Sequence, residues 1–160
     1  MTKPIIGILG GGQLGMMLCD AAKNIDVETH VFCPEYDCPS KGRSTYFSVG
    51  DYTDKKEIIK FSNNVDYITY EFENIPIETI DFISDQKKIR PGKKSLLLTQ
   101  DRLTEKKFLD ELKVPIAPYK DLRTIDDICS AQDEFINGII KTRTLGYDGK
   151  GQFSLKDTDN

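Results

Sequence analysis

Pro4-Ile5-Ile6-Gly7-Ile8-Leu9 runs directly into Gly10-Gly11-Gly12-Gln13-Leu14-Gly15 and then into Met16-Met17-Leu18-Cys19-Asp20-Ala21-Ala22-Lys23. An apolar run of strand length, a Gly-x-Gly-x-x-Gly turn and a helical stretch from Met16 to Lys23 follow one another. Such a turn sets free N–H groups and the positive end of a helix dipole beside the loop, worth about 0.3–1 kcal/mol for a nearby anion. A nicotinamide enzyme would add Asp or Glu about 20 residues on, at the end of the second strand, to hold the ribose hydroxyls. Here the second strand ends at Phe32-Cys33-Pro34, and Glu35 lies beyond the proline. The pattern favours a mononucleotide or a phosphorylated substrate over a dinucleotide.

Outward from this turn the chain alternates strand and helix. Thr45 to Val49 reads as a third strand, Lys55 to Ser62 as a helix capped from Asp51-Tyr52-Thr53-Asp54, and Val65 to Tyr70 as a fourth strand. This alternation predicts an α/β fold on a Rossmann-like parallel sheet. Pro34 to Ser44 is a loop without clear pattern. The fourth strand runs into Glu71-Phe72-Glu73-Asn74-Ile75-Pro76, beyond a strand's carboxyl end, where open α/β sheets bind ligands. An extended chain through Phe72 would place Glu71 and Glu73 on one side, suited to a ribose or an amine. Alternatively they are solvated carboxylates capping the short helix from Pro76 to Ser84. Lys88 to Pro91 reads as a short edge strand, and Lys93 to Gln100 and Asp101 to Leu112 as helices. Val114 to Tyr119, with two prolines, marks a linker or subdomain change, and Thr124 opens a helix to about Phe135.

A second glycine-rich stretch closes the reading. Ile139-Ile140 reads as the start of a buried strand, yet Lys141 follows, a cation that calls for an anion. Gly146, Gly149 and Gly151 alternate with Tyr147, Asp148 and Lys150, and Gln152-Phe153-Ser154-Leu155-Lys156 returns with strand period. Strand, glycine-rich loop and returning strand suit a phosphate-covering lid, or equally a plain hairpin with a snorkelling lysine.

With 160 residues, 38% hydrophobic and 30% charged, the chain reads as a soluble globular protein, long enough for one full domain or for one domain plus part of another. No stretch approaches the roughly 20 apolar residues of a membrane span, and glycines interrupt the N-terminus before a signal peptide could form. A net charge of −4 with no basic face argues against nucleic acid as a partner. Cys19, Cys33, Cys38 and Cys129 show no C-x-x-C spacing and no histidine-rich neighbourhood, which fits reduced thiols in the cytoplasm and no zinc site. His30, the single histidine, sits in strand sequence and reads as structural.

Taken together, five segments resemble the N-terminal part of the 5-(carboxyamino)imidazole ribonucleotide synthase family, ATP-grasp ligases of purine biosynthesis. They are Gly10 to Leu18, Tyr70 to Ile75, Gln100 to Lys106, Val114 to Tyr119, and Ile140-Lys141 through Gly146-Tyr147-Asp148-Gly149-Lys150-Gly151-Gln152. The resemblance implies a Rossmann-like pre-ATP-grasp domain over 1–100 and the start of a truncated ATP-grasp domain over 101–160. It implies that ATP phosphorylates bicarbonate to carboxyphosphate, which the amine of 5-aminoimidazole ribonucleotide attacks. By the same resemblance Arg102, Lys141 and Gly146 to Gln152 contact ATP, while Gly12, Gln13, Leu14, Glu71, Glu73, Tyr147 and Lys150 face the ribonucleotide. Met16 stands where the family often has a basic residue. The family is about twice this length, so the catalytic groups and the Mg²⁺ ligands are expected outside this chain, which would be a remnant or one piece of a split enzyme. The partners implied are a homodimer mate or a complementing C-terminal piece. The rivals are the formate-using glycinamide ribonucleotide transformylase, whose serine-rich lid differs from Leu145-Gly146-Tyr147-Asp148-Gly149, and a Rossmann-type oxidoreductase domain.

Overall fold

The computed structural model describes residues 3–83, 85, 88–146 and 149–155. Its first unit is built on four strands, β1 (Ile5–Leu9), β2 (Glu28–Cys33), β3 (Tyr46–Val49) and β4 (Tyr67–Tyr70). All three pairings are parallel, in the order β3-β2-β1-β4. The central strands β1 and β2 are the most apolar because helices cover a parallel sheet on its faces. Ile8, Leu9, Val31 and Phe32 are at most 1% exposed.

Helices α1 (Gln13–Asn24), α2 (Lys55–Asn63) and α3 (Ile77–Phe82) follow β1, β3 and β4 in the chain. Asp54 caps α2 by accepting from the N–H groups of Lys56 and Glu57. The main core gathers Leu9, Phe32, Ile58, Phe61, Ile68, Ile75, Ile80, Ile83, Ile89 and Leu96. His30 lies in this layer, with Nε2 2.8 Å from Ser48 Oγ and its ring 5.0 Å from that of Phe61. Burial lowers its pKa, in keeping with a structural, neutral imidazole.

The strand order fixes where a ligand site can lie. From β1 the chain steps outward through β2 to β3, then returns to place β4 on the other side of β1. The reversal falls between β1 and β4, the switch point beyond whose carboxyl ends open α/β sheets open a crevice. The glycine turn leaves β1 there and Glu71 leaves β4 there, with Glu71 N donating to Leu9 O at 3.1 Å.

Several boundaries differ from the sequence reading. Residues 88–91 form no strand: Ile89 makes a single parallel bridge to Ile68 at the edge of the sheet. Helix α1 begins at Gln13, three residues before the expected start. Helix α4 (Lys93–Thr99) precedes α5 (Arg102–Glu111).

The chain divides into two compact units, Met1–Leu97 and Leu98–Asn160. The second holds α5, α6 (Ile125–Glu134) and an antiparallel hairpin of β5 (Ile139–Lys141) and β6 (Gln152–Ser154). A reciprocal capping box between Thr124 and Asp127 starts α6. The residues 114–119 form neither helix nor strand and belong to this second unit, where Lys106 Nζ donates to Ala117 O and Tyr119 Oη to Asp110 Oδ2. They are therefore no linker between the two units. The buried strand expected at Ile139-Ile140 is also corrected. Ile139 is 62% exposed, because the hairpin has only two strands and nothing described covers that face.

No described helix is long and apolar enough to cross a membrane.

Candidate functional site

Helix α1 has no polar cap of its own. Gly12 is the N-cap in extended conformation, and the first turn carries no acidic residue. Its leading N–H groups therefore need an acceptor from elsewhere. Glu71 supplies it across the switch point. Oε1 accepts from Gly12 N at 2.6 Å and Oε2 from Gly15 N at 2.7 Å. Each charge-assisted bond of this kind contributes about 1.5–3 kcal/mol, and the carboxylate also opposes the helix dipole. The position that a pyrophosphate takes in a nicotinamide enzyme is thus filled by the chain's own anion.

The rest of the turn is held as tightly. Gly10 has φ +117°, and a Cβ there would lie 2.3 Å from Glu71 Cγ. Ser40, fully buried, donates from Oγ to Gly12 O and from its N–H to Gly11 O, both at 3.1 Å. The loop after β2, without pattern in the sequence, is therefore a second clamp on the turn. Burial, then the nearby Cys33 and Glu71, pushes the Tyr52 phenol pKa well above its ordinary value. Ser40 and Tyr52 were not among the expected site residues, since nothing local distinguishes them.

Of the residues expected on the ribonucleotide side, Gly12 and Glu71 meet directly. Gln13 and Leu14 are exposed on the first turn of α1, and Glu73 is half-buried. The expected extended chain through Phe72 is corrected: β4 ends at Tyr70 and residues 71–75 turn, so strand alternation no longer applies. Phe72 packs on the core, its ring 6.1 Å from that of Tyr52.

In the second unit the expected ATP residues surround a different clamp. Asp101 caps α5, with Oδ1 accepting from Leu103 N and Thr104 N at 2.9 Å each. The same carboxylate takes a two-pronged ion pair from Arg143, at 3.0 Å from Nε and 2.6 Å from Nη2. Arg102 N donates to Arg143 O at 2.9 Å, and Arg102 Nη2 to Gly146 O at 3.1 Å. The start of α5 is thereby bolted to both ends of residues 143–146. Beyond them Thr142 N donates to Gly151 O, continuing the hairpin, and Gly149 and Gly151 have positive φ. Lys141, Gly149, Lys150 and Gln152 are exposed, Gly151 is half-buried and Gly146 buried. Tyr147 and Asp148 lie outside the described residues.

The hydrogen bonds from Arg143 are the largest of the influences that hold the Asp101 carboxyl below the usual carboxylate range. Its contribution to stability is fully present above the unfolded value of about 3.9 and is lost as pH falls through the lowered folded value. Asp101→Ala is expected to cost about 1–2 kcal/mol, a lost cap plus a surface ion pair. Hydrogen exchange reads it directly: the Leu103 and Thr104 amides should lose protection while those of β1 keep theirs.

Among the described residues no group of three or more His, Cys, Asp or Glu could hold a metal ion.

Residues 1–100 match the family model described as the ribonucleotide synthetase preATP-grasp domain. An N5-carboxyaminoimidazole ribonucleotide synthase of Brucella melitensis is 40% identical over 158 residues, covering 96% of this chain and 43% of that protein. The bifunctional purine synthesis protein purC/E of Dictyostelium discoideum is 40% identical over 153 residues, which are 95% of this chain and 15% of that one. The crystal structure of N5-carboxyaminoimidazole synthetase from Staphylococcus aureus complexed with ADP matches with a TM-score of 0.84 at 36% identity, covering 96% of this chain and 42% of that one. The chain spans less than half the length of these relatives. Its parallel sheet, its glycine turn at the β1/β4 switch point and the match over 1–100 agree, and the chain belongs to the ribonucleotide synthetase preATP-grasp family, as a homologue of the N-terminal part of N5-carboxyaminoimidazole ribonucleotide synthases.

Proposed function

We propose that the chain supplies the ribonucleotide-side domain and the opening of the ATP-grasp domain, over 1–100 and 101–160, of an N5-carboxyaminoimidazole ribonucleotide synthase. In that reaction ATP phosphorylates bicarbonate to carboxyphosphate and leaves as ADP. The exocyclic amine of 5-aminoimidazole ribonucleotide then attacks the carboxyl carbon, phosphate leaves, and the amine proton passes to solvent or a base. The product is the N-carboxylated ribonucleotide of purine synthesis, and the setting is cytoplasmic. The observation that carries this reading is the 37–40% identity to such synthases over more than nine-tenths of the chain. The rival reading, a nicotinamide oxidoreductase, is disfavoured by Glu71 seated where the dinucleotide would bind.

In this reading the chain's own residues position and neutralise rather than react. Lys141, Arg102 and the loop Gly146 to Gln152 meet the phosphates of ATP, and the Asp101–Arg143 pair holds that loop's root. Gly12, Gln13, Leu14 and Glu73 face the ribonucleotide, while Glu71 keeps the turn in shape. Mg²⁺ accompanies ATP in the proposal. Among the described residues no group of three or more His, Cys, Asp or Glu could hold it.

The test is calorimetric titration of the chain with ATP in magnesium buffer. Saturable heat is expected, and Lys141→Ala should weaken binding at least about tenfold, the loss of one charge-assisted contact of about 1.4 kcal/mol or more. Unchanged affinity in the variant would remove Lys141 from the site, and no heat from a folded chain would sink the assignment of ATP contacts to it.

A further inference from the structure

Cys33 is the last residue of β2 and Cys38 lies five residues on, in the loop that Ser40 bolts to the glycine turn. Their sulfurs are 3.5 Å apart. Both lie against Gly11, where a Cβ would come within 2.6 Å of each Sγ. The lack of a side chain at Gly11 therefore makes room for the pair. Cys33 is 3% exposed, whereas Cys38 is half-buried. Between them Pro34, Glu35, Tyr36 and Asp37 are all exposed, so the loop can shift without disturbing the core. Closing a bond of about 2.05 Å from 3.5 Å asks the sulfurs to approach by about 1.5 Å. The other two cysteines are placed differently. Cys19 is buried on α1 with Ile8 and Val31, and Cys129 is exposed on α6 of the second unit.

We propose that Cys33 and Cys38 are a reversible dithiol–disulfide site, oxidised by exchange with a small disulfide of the glutathione class. Cys38 Sγ, as thiolate, attacks one sulfur of the small disulfide. That S–S bond breaks, and the first small thiol leaves as thiolate and takes up the proton Cys38 lost. Cys33 Sγ then attacks Cys38 Sγ, the mixed disulfide breaks, and the second small thiol leaves with the proton of Cys33. Two protein thiols and one small disulfide give one protein disulfide and two small thiols, two electrons passing to the small disulfide. The order follows from exposure. Burial first, then the Cys38 thiol beside it, pushes the Cys33 pKa up to about 12, so Cys33 is not the first nucleophile and attacks only in the second step, where the high effective concentration of an intramolecular reaction offsets its scarce thiolate. Intracellular disulfides are mostly transient or redox-sensing, and this one would change the packing beneath the turn that Glu71 and Ser40 hold. The proposal stands independently of which substrate the chain binds.

The experiment equilibrates the folded chain in glutathione buffers of graded redox poise, alkylates the remaining thiols, and analyses tryptic peptides by mass spectrometry. The peptide from Asn24 to Lys41 contains both cysteines. It should lose both alkyl groups together, follow a two-electron titration, and regain them after dithiothreitol, while the Cys19 and Cys129 peptides stay alkylated. Half-oxidation of the native chain should need about tenfold less oxidising buffer than in urea, because folding holds the sulfurs together. Cys33→Ser should stop at a glutathione adduct on Cys38. Full alkylation of the native chain at every poise would overturn the proposal. So would wild type stopping at the adduct, or a native titration no more favourable than the one in urea.

Discussion

Glu71→Ala is expected to destabilise the Met1–Leu97 unit by about 3 kcal/mol, and by at least about 10 °C in its melting midpoint. The substitution removes both acceptors at the start of α1, so Gly12 N and Gly15 N lose the carboxylate partner they have among the described residues. Buried or half-buried donors without acceptors cost about 1–3 kcal/mol each, offset where water enters the vacated space. Gly15 is buried, so its N–H gains least from water. Glu71→Gln should fall between the two, because the amide keeps one acceptor oxygen but loses the charge that opposes the dipole. Calorimetric or circular-dichroism melting distinguishes these values. An alanine variant that melts with wild type would show that Glu71 does not hold the turn.

Gly10→Ala is expected to be at least as damaging, about 3–5 kcal/mol, through two separate causes. At φ +117° any residue with a Cβ is strained by about 1–3 kcal/mol. The added methyl also meets Glu71 Cγ at 2.3 Å and Oε1 at 2.8 Å, so either the carboxylate leaves α1 or β4 moves away from β1. Overpacking of this kind costs about 1–3 kcal/mol. Because the second cause runs through Glu71, the two substitutions should not add. A Gly10→Ala, Glu71→Ala double variant is expected to lose at least about 1 kcal/mol less than the sum of the singles. Denaturant melts of the four proteins test this, and strict additivity would contradict the contact.

These two residues also show how far a sequence can be read. The strand Ile5 to Leu9 was legible because a central parallel strand is apolar throughout, and the parallel α/β fold followed from its succession with the glycine turn and later strands. The start of α1 was not, because Gly15 is a poor helix former and the carboxylate that organises the turn stands 56 residues away. No local window reports such a partner. Glu71 itself was legible as a residue of the site from its place after β4, but its job was not, since whether a carboxylate faces a ligand or a helix end depends on strand order. Ser40 and the Cys33–Cys38 pair were hidden for the same reason, in a loop whose only pattern is tertiary. In the second unit, Lys141 and the glycines stood out by composition, while Arg143 became visible only through its pairing with Asp101, 42 residues earlier. Ile139 misled because apolar sequence signals burial only where something covers it.

Closure of the glycine turn by the chain's own carboxylate is what separates this domain from a dinucleotide-binding fold of similar outline. It is read from the backbone amide spectrum of an isotope-labelled chain, followed at Gly12 and Gly15 during titration with NAD. Neither amide is expected to shift saturably in wild type, and both should move far in Glu71→Gln without any ligand. Saturable shifts of Gly12 and Gly15 on adding NAD to wild type would show that the carboxylate does not close the turn.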